Sequence, residues 1–250
     1  MADTLSVSFV EQLKQSNAAN TSIFVGKRKP DSEPYIIPKV VLTSVSPYFN
    51  KIVNCDFKEG KEGVLHFPED DPSSWTLFLY WLFHRNIPEP DRAEPPNARG
   101  LSPSALAPFF SVLTKAWMLG DKYDVPAFQN SVTFRMIRTF EISFPTMQTA
   151  EEVFEITPED CPLRKLIVEE MVTATLKLRV LKVSEVEDFG KFDGFLSLWT
   201  ECHQEFCANM QRYPLHGYGR NSSQMEKYFI EEDRDLVREV EAMLKEHGQA

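Results

Sequence analysis

A continuous apolar stretch at residues 75–83 constrains the fold of this chain more than any other feature. It directly follows Asp71-Pro72 and is aromatic or leucine at nearly every position. Asp is a preferred helix N-cap and Pro is favoured at the first helical position, so the segment predicts a helix. Because apolar side chains point to all sides, we expect this helix at the centre of the fold. The stretch is about half the ~20 residues that a membrane-spanning helix needs.

Strand signals occur only in the first part of the chain. Two β-rich segments around a polar turn predict a hairpin, and a third short segment alternates well enough to be a strand. Between the hairpin and the third strand, residues 40–53 carry apolar residues at helical spacing, divided by Ser46-Pro47 into two short helices. A turn is expected at 59–63. The predicted strands lie at residues 23–26, 35–37 and 64–67.

The rest of the chain carries helical patterns. Gly120 is expected to end one helix, Pro126 to open the next, and Thr157 to cap a third. Prolines crowd residues 88–103, which predicts a surface loop. We therefore expect an α+β first half and an all-α second half. The other helices are predicted over residues 5–15, 104–118, 147–155, 158–178, 192–210 and 226–247.

The net charge of the chain limits the classes of partner that it is expected to bind. The 250 residues include 27 Lys and Arg against 37 Asp and Glu, a formal net charge of −10. An acidic chain repels phosphate backbones and anionic lipid, so we expect neither nucleic-acid nor membrane binding. The N-terminus shows no basic stretch followed by an apolar run, and the four cysteines are scattered. An intracellular protein, cytoplasmic or nuclear, with reduced thiols is the expectation.

The sequence contains few patterns that are typical of enzymes. The chain lacks a P-loop, a His-Glu-x-x-His motif and a Gly-x-Ser-x-Gly elbow. The best metal candidate is Cys202, His203 and Cys207, with Cys161 or His216 as a fourth ligand. Because Cys202 and Cys207 lie on different sides of a helix, buried thiols are the preferred interpretation, and a metal-dependent enzyme is kept as an alternative. We predict no catalytic residue, metal or cofactor. The acidic residues around 59–71 are interpreted as caps, turns and a solvated rim.

Several motifs, in order, resemble the BTB/POZ family, most closely the short BTB proteins of fungi. The match covers about residues 20–140. It is carried by YIIPKVVL at 35–42 with SPYF at 46–49, FKE at 57–59, VLHFPEDDP at 64–72 and LGDKYDVP at 119–126.

The resemblance implies a small β-sheet flanked by a cluster of helices and a non-enzymatic protein–protein interaction module, self-associating or scaffolding. It divides the chain into an N-terminal helical extension at 1–19, a BTB/POZ domain at 20–140 that includes the loop at 88–103, and a helical region at 141–250. Some members adapt substrates to a cullin-type ubiquitin ligase, which is the narrower alternative. The expected partners are thus a second copy, as a homodimer, or a cullin.

Two exposed surfaces are candidates for these partners. In the family an N-terminal helix can pack against a second protomer, and here its apolar stripe would be Leu5, Phe9 and Leu13. The loop at Ile87-Pro88-Glu89 resembles the hydrophobic-x-Glu feature of cullin-binding members. A helix that only covers its own domain is the other interpretation of the N-terminal stripe.

Overall fold

The structure, a computed structural model, describes residues 20–27, 33–54, 58–90, 102–176, 186–208, 225 and 227–230. The predicted helices at 5–15 and 226–247 and the loop at 88–103 lie wholly or largely outside these ranges. The described residues form two compact units. The first contains residues up to Arg85 together with Leu119–Val125, and the second contains Asn86–Met118 and the residues from Pro126 onward. The domain boundaries at residues 19 and 140 expected from the sequence stay predictions.

The first unit is built on a three-stranded sheet. Its strands are β1 (Asn20–Val25), β2 (Tyr35–Pro38) and β3 (Val64–Phe67), in the order β2-β1-β3. β1 runs antiparallel to β2 and parallel to β3, with Ile23 opposite both Tyr35 and Leu65. The predicted hairpin and third strand are confirmed.

Successive side chains of a strand point to opposite faces, so the register sorts the residues into two sets. The inner face is buried, with Ile23, Ile37 and Leu65 almost fully covered. The opposite face, called here the outward face, consists of Asn20, Ser22, Phe24, Ile36, Pro38, Val64 and His66.

Short helices connect the strands. α1 (Lys39–Thr43) and α2 (Pro47–Val53) confirm the two helices predicted around Ser46-Pro47. Ser46 caps α2 because its hydroxyl accepts a hydrogen bond from the Phe49 amide at 3.2 Å. The turn expected at 59–63 is instead mostly a short helix, α3 (Lys58–Glu62).

The apolar stretch forms α4 (Pro72–His84), as predicted. A carboxylate oxygen of Asp71 accepts from the Ser74 amide at 2.8 Å and caps its first turn. Trp75, Phe78 and Trp81 are buried, but Phe83 is 57% exposed. The expectation that α4 is buried on every side is therefore wrong for one face.

The second unit is helical in its described part. The last turn of α5 belongs to the first unit, because that unit includes Leu119–Val125. The helices are α5 (Pro103–Lys122), α6 (Pro126–Phe140), α7 (Met147–Ile156), α8 (Pro162–Leu176) and α9 (Phe195–Ala208), with a 3-10 turn at Asp188–Lys191. None of the described helices is both long and apolar enough to cross a membrane.

Two predicted helix ends are wrong. Gly120 lies inside α5, where its cost of about 1 kcal/mol is offset by burial of the neighbouring Trp117 and Leu119. Thr157 ends α7 instead of capping the next helix, because its hydroxyl donates to the Val153 carbonyl at 2.6 Å. α8 consequently begins at Pro162.

A buried arginine holds the end of α7 in place. The Arg164 guanidinium donates to the carbonyls of Phe154 at 2.9 Å, Thr157 at 2.5 Å and Asp193 at 3.0 Å. It also lies 4.8 Å from the centre of the Phe154 ring. These carbonyls satisfy a charge that would otherwise be costly to bury.

We expect Gly63→Ala to destabilise the protein more than Gly194→Ala. Both glycines have positive φ, +64° and +78°, which costs an L-residue about 1–2 kcal/mol. A Cβ at Gly63 would also lie 3.2 Å from the Asn20 carbonyl oxygen, whereas at Gly194 nothing lies within 4 Å. Urea unfolding followed by circular dichroism measures the two losses, and equal losses would contradict the close approach at Gly63.

Candidate protein-interaction site

A buried carboxylate organises the first unit. Asp70 accepts hydrogen bonds from the indole N–H of Trp75 at 2.8 Å and the hydroxyl of Tyr123 at 2.5 Å, both at Oδ2. The Lys122 ammonium lies 2.6 Å from Oδ1. The interpretation of Asp70 as a cap, turn or rim residue is wrong, since it is buried and binds three side chains.

The same network keeps Tyr123 protonated. Burial, together with the hydrogen bond to Asp70 and its negative charge, raises the pKa of Tyr123 far above its ordinary value. The Tyr123 carbonyl in turn accepts from the Ser46 hydroxyl at 2.5 Å. The arrangement holds the segment 119–125 within the first unit, and its role is structural.

The outward face of the sheet combines apolar side chains with Asn20, Ser22 and His66, and none of its residues is acidic. The rings of Phe24 and His66 stack with centroids 4.9 Å apart and planes inclined by 10°. Ile36 and Val64 flank Ser22 in register, and Ile36 is 63% exposed. In a chain of net charge −10, this face is a patch without acidic side chains.

A groove of about 400 Å³ runs beside β3, and we call it the β3 groove. Tyr48 and Ile52 of α2 form one side, and β3 lines the other, where Leu65 and Phe67 are only 1% and 7% exposed. No sequence pattern predicts this groove, because residues of α2 and β3 line it together. Polar residues complete its lining: Glu59, His66, Glu69, Asp70 and Lys122.

The residues predicted to contact partners differ in whether the structure describes them and in how exposed they are. Leu5, Phe9 and Leu13 lie outside the described residues. Ile87 is 2% exposed, so the expectation that it is presented at the surface is wrong. Its carbonyl accepts two hydrogen bonds from the Arg135 guanidinium, at 2.7 and 2.9 Å, which hold the residue inward. Glu89 is exposed and lies 3.7 Å from Arg135.

The cysteines and histidine considered as metal ligands are not brought together. Cys202 and Cys161 are buried, and burial raises their pKa values to about 12 and about 11. Cys207 is exposed, with its Sγ 3.9 Å from both ring nitrogens of His203. Among the described residues, no group of three or more His, Cys, Asp or Glu side chains could hold a metal ion. His216 lies outside them.

The second unit also contains a buried carboxylate, and each of its two oxygens accepts a hydrogen bond. Glu169 accepts from the Lys227 ammonium at 2.6 Å and from the hydroxyl of Tyr228. This contact ties the segment at 227–230 to α8. No local sequence pattern predicts this contact, because the partners are almost sixty residues apart.

A second groove, of about 510 Å³, lies between α5 and α7 in the second unit. Two of its acids are paired within the unit. Glu152 accepts from the Ser111 hydroxyl at 2.6 Å and lies 3.4 Å from the Lys115 ammonium. Glu151 lies 3.1 Å from Lys191. These acids therefore serve the packing of neighbouring elements.

No protein-family model matches the chain, and no curated protein matches it either. The fold by itself defines a mixed α+β protein that is mainly helical and carries one small three-stranded sheet.

We expect Asp70→Asn to lower the free energy of unfolding by about 2–4 kcal/mol, because buried donors lose their charged acceptor. Asp71→Asn is the matched control. Asn caps helices about as well as Asp, so a change below about 0.5 kcal/mol is expected there. Urea unfolding measures both, and similar losses for the two variants would contradict the central role of the Asp70 carboxylate.

We also expect iodoacetamide at pH 8 to modify Cys207 well before Cys161 and Cys202. The thiolate is the reacting form, and a pKa of about 11 or 12 leaves on the order of one thiolate in a thousand or fewer at that pH. Burial further blocks the reagent. Peptide mass spectrometry reports each site, and guanidinium-unfolded protein is the control in which all three should react. Fast modification of Cys202 in the folded chain would contradict its buried placement.

Proposed function

We propose that this chain is a non-enzymatic protein-interaction module of the BTB/POZ type and that it associates with a second copy of itself. The order of elements supports the proposal. The segment 35–42 spans β2 and α1, 46–49 caps and opens α2, and 64–72 covers β3 and the start of α4. These are the positions at which the resembling motifs would be expected in a sheet flanked by helices.

The acid-free outward face of the sheet is the observation that carries self-association. In a two-fold symmetric contact the same patch meets its own copy, so a charged patch would repel itself. The outward face offers Ile36, Val64 and the Phe24–His66 stack instead. Removing such apolar surface from water is worth roughly 25 cal/mol per Å² before the costs of association.

The area of the outward face determines how strong a dimer we expect. Three strands of four to six residues, at ~3.3 Å per residue and ~4.8 Å between strands, present about 200–300 Å². A standard interface buries about 800 Å² on each partner. We therefore expect a concentration-dependent dimer.

The contacts made by three buried charged side chains support an interaction module instead of an enzyme. Asp70, Arg164 and Glu169 are each engaged by donors or acceptors from the surrounding fold. A catalytic acid or base needs a proton that can be exchanged with a substrate. Here the buried charges connect segments of the chain.

Ile36→Lys tests the proposal. Wild-type mass is expected to rise with concentration in light scattering, and the variant should need at least tenfold more protein for the same rise, because each lysine places a charge in the contact. Leu196→Lys is the matched control, since Leu196 is 62% exposed in the second unit, and it should behave like the wild type. A wild type that stays monomeric over a roughly hundredfold range of concentration, or equal effects of both variants, would overturn self-association through this face.

A further inference from the structure

We propose that the β3 groove binds an extended segment of a partner protein by strand addition, and that this segment alternates apolar residues with lysine or arginine. The inference goes beyond self-association, because it uses an edge of the sheet and the groove beside it instead of the outward face.

The backbone of β3 offers hydrogen-bonding groups along this edge. The Ser22 amide donates to the Gly63 carbonyl at 2.8 Å, and the Gly26 amide donates to the Phe67 carbonyl at 2.9 Å. In a parallel pair, alternate residues of each strand face the partner strand. This register turns the backbone groups of Leu65 and Phe67 toward β1.

The intervening residues present the opposite edge. The amide and carbonyl groups of Val64 and His66 point away from β1, and β3 is the outermost strand of the described sheet. The other outermost strand, β2, ends in Pro38, which lacks an amide proton and so protects its edge. Within β3 no proline interrupts the edge before residue 68.

The groove can accept the side chains of an added strand. Alternate residues of an extended segment point to the same side about 6.6 Å apart. On the groove side the lysine or arginine residues would lay their aliphatic stems on Tyr48 and Ile52 of α2, with their charges toward the acids of the lining, and the apolar residues between them would lie on the other face, beside Val64. An edge strand facing a helix across an apolar groove is a recurring arrangement for peptide recognition.

The charged residues that line the β3 groove indicate which side chains a partner segment should carry. Glu59 and Glu69 line the groove and are exposed. Lys122 is the basic residue of the lining, and its ammonium is already 2.6 Å from Asp70. The surplus at the groove is negative in a chain of net charge −10. A segment with lysine or arginine between its apolar residues is therefore complementary in charge.

The test uses the full chain and a fluorescein-labelled heptapeptide that alternates valine and lysine, Val-Lys-Val-Lys-Val-Lys-Val. Fluorescence anisotropy should show saturable binding. The same peptide with all of its internal backbone amides N-methylated should bind at least tenfold more weakly, since neither edge of its strand can then donate hydrogen bonds to β3. Replacing its lysines with glutamates should abolish binding because like charges then meet.

Protein variants locate the site. Ile52→Gln and the double variant Glu59→Lys with Glu69→Lys should each weaken binding about tenfold or more. The double variant Glu155→Lys with Glu159→Lys makes the same charge change in the second unit and should bind like the wild type. Circular dichroism confirms that each variant is folded.

Three outcomes would overturn the inference: no binding of the valine–lysine peptide, equal binding of the N-methylated peptide, or equal weakening by both charge-reversed double variants. Light scattering of the same samples keeps this result separate from self-association. A chain that stays monomeric but binds the peptide refutes the outward-face dimer alone, and a dimer that ignores the peptide refutes strand addition alone.

Discussion

The buried carboxylate of Asp70 is the contact on which the first unit depends. It directly follows the turn after β3, and its oxygens join the start of α4, through Trp75, to the segment that ends α5, through Lys122 and Tyr123. A buried carboxylate with three donors is stable, whereas the same group without them would be costly. Since Lys122 and Tyr123 are remote from Asp70 in sequence, this contact helps to hold residues 119–125 in the first unit.

The sheet held in this way has a covered inner face and two surfaces of different character. The outward face is partly apolar and carries no acidic side chain, which suits a copy of the same patch. The edge of β3 offers backbone groups beside an acidic, partly apolar groove, which suits a segment of another chain. Asp70 in the first unit and Arg164 and Glu169 in the second make internal contacts with neighbouring segments. Together these features favour a protein that acts through its surface.

Much of the local structure could be predicted from the residues. Asp71-Pro72 and Ser46-Pro47 mark helix starts because a capping side chain and its amide lie three residues apart. The hairpin follows from alternation on both sides of a polar turn. The errors occur where tertiary contacts outweigh local preference. Gly120 continues a helix whose neighbours are buried, and Thr157 hydrogen-bonds backward along α7 instead of forward into α8.

The same distinction between local preference and tertiary contact applies to the candidate interaction surfaces. The sequence by itself determined the three strands, most helix starts and the acidic charge, because each depends on residues within a few positions or on composition alone. Only the tertiary structure decided that Asp70 is buried, that Ile87 points inward, and that α2 forms a groove with β3. These outcomes depend on which distant segments meet, and the free energy of such contacts exceeds the preference of any single residue.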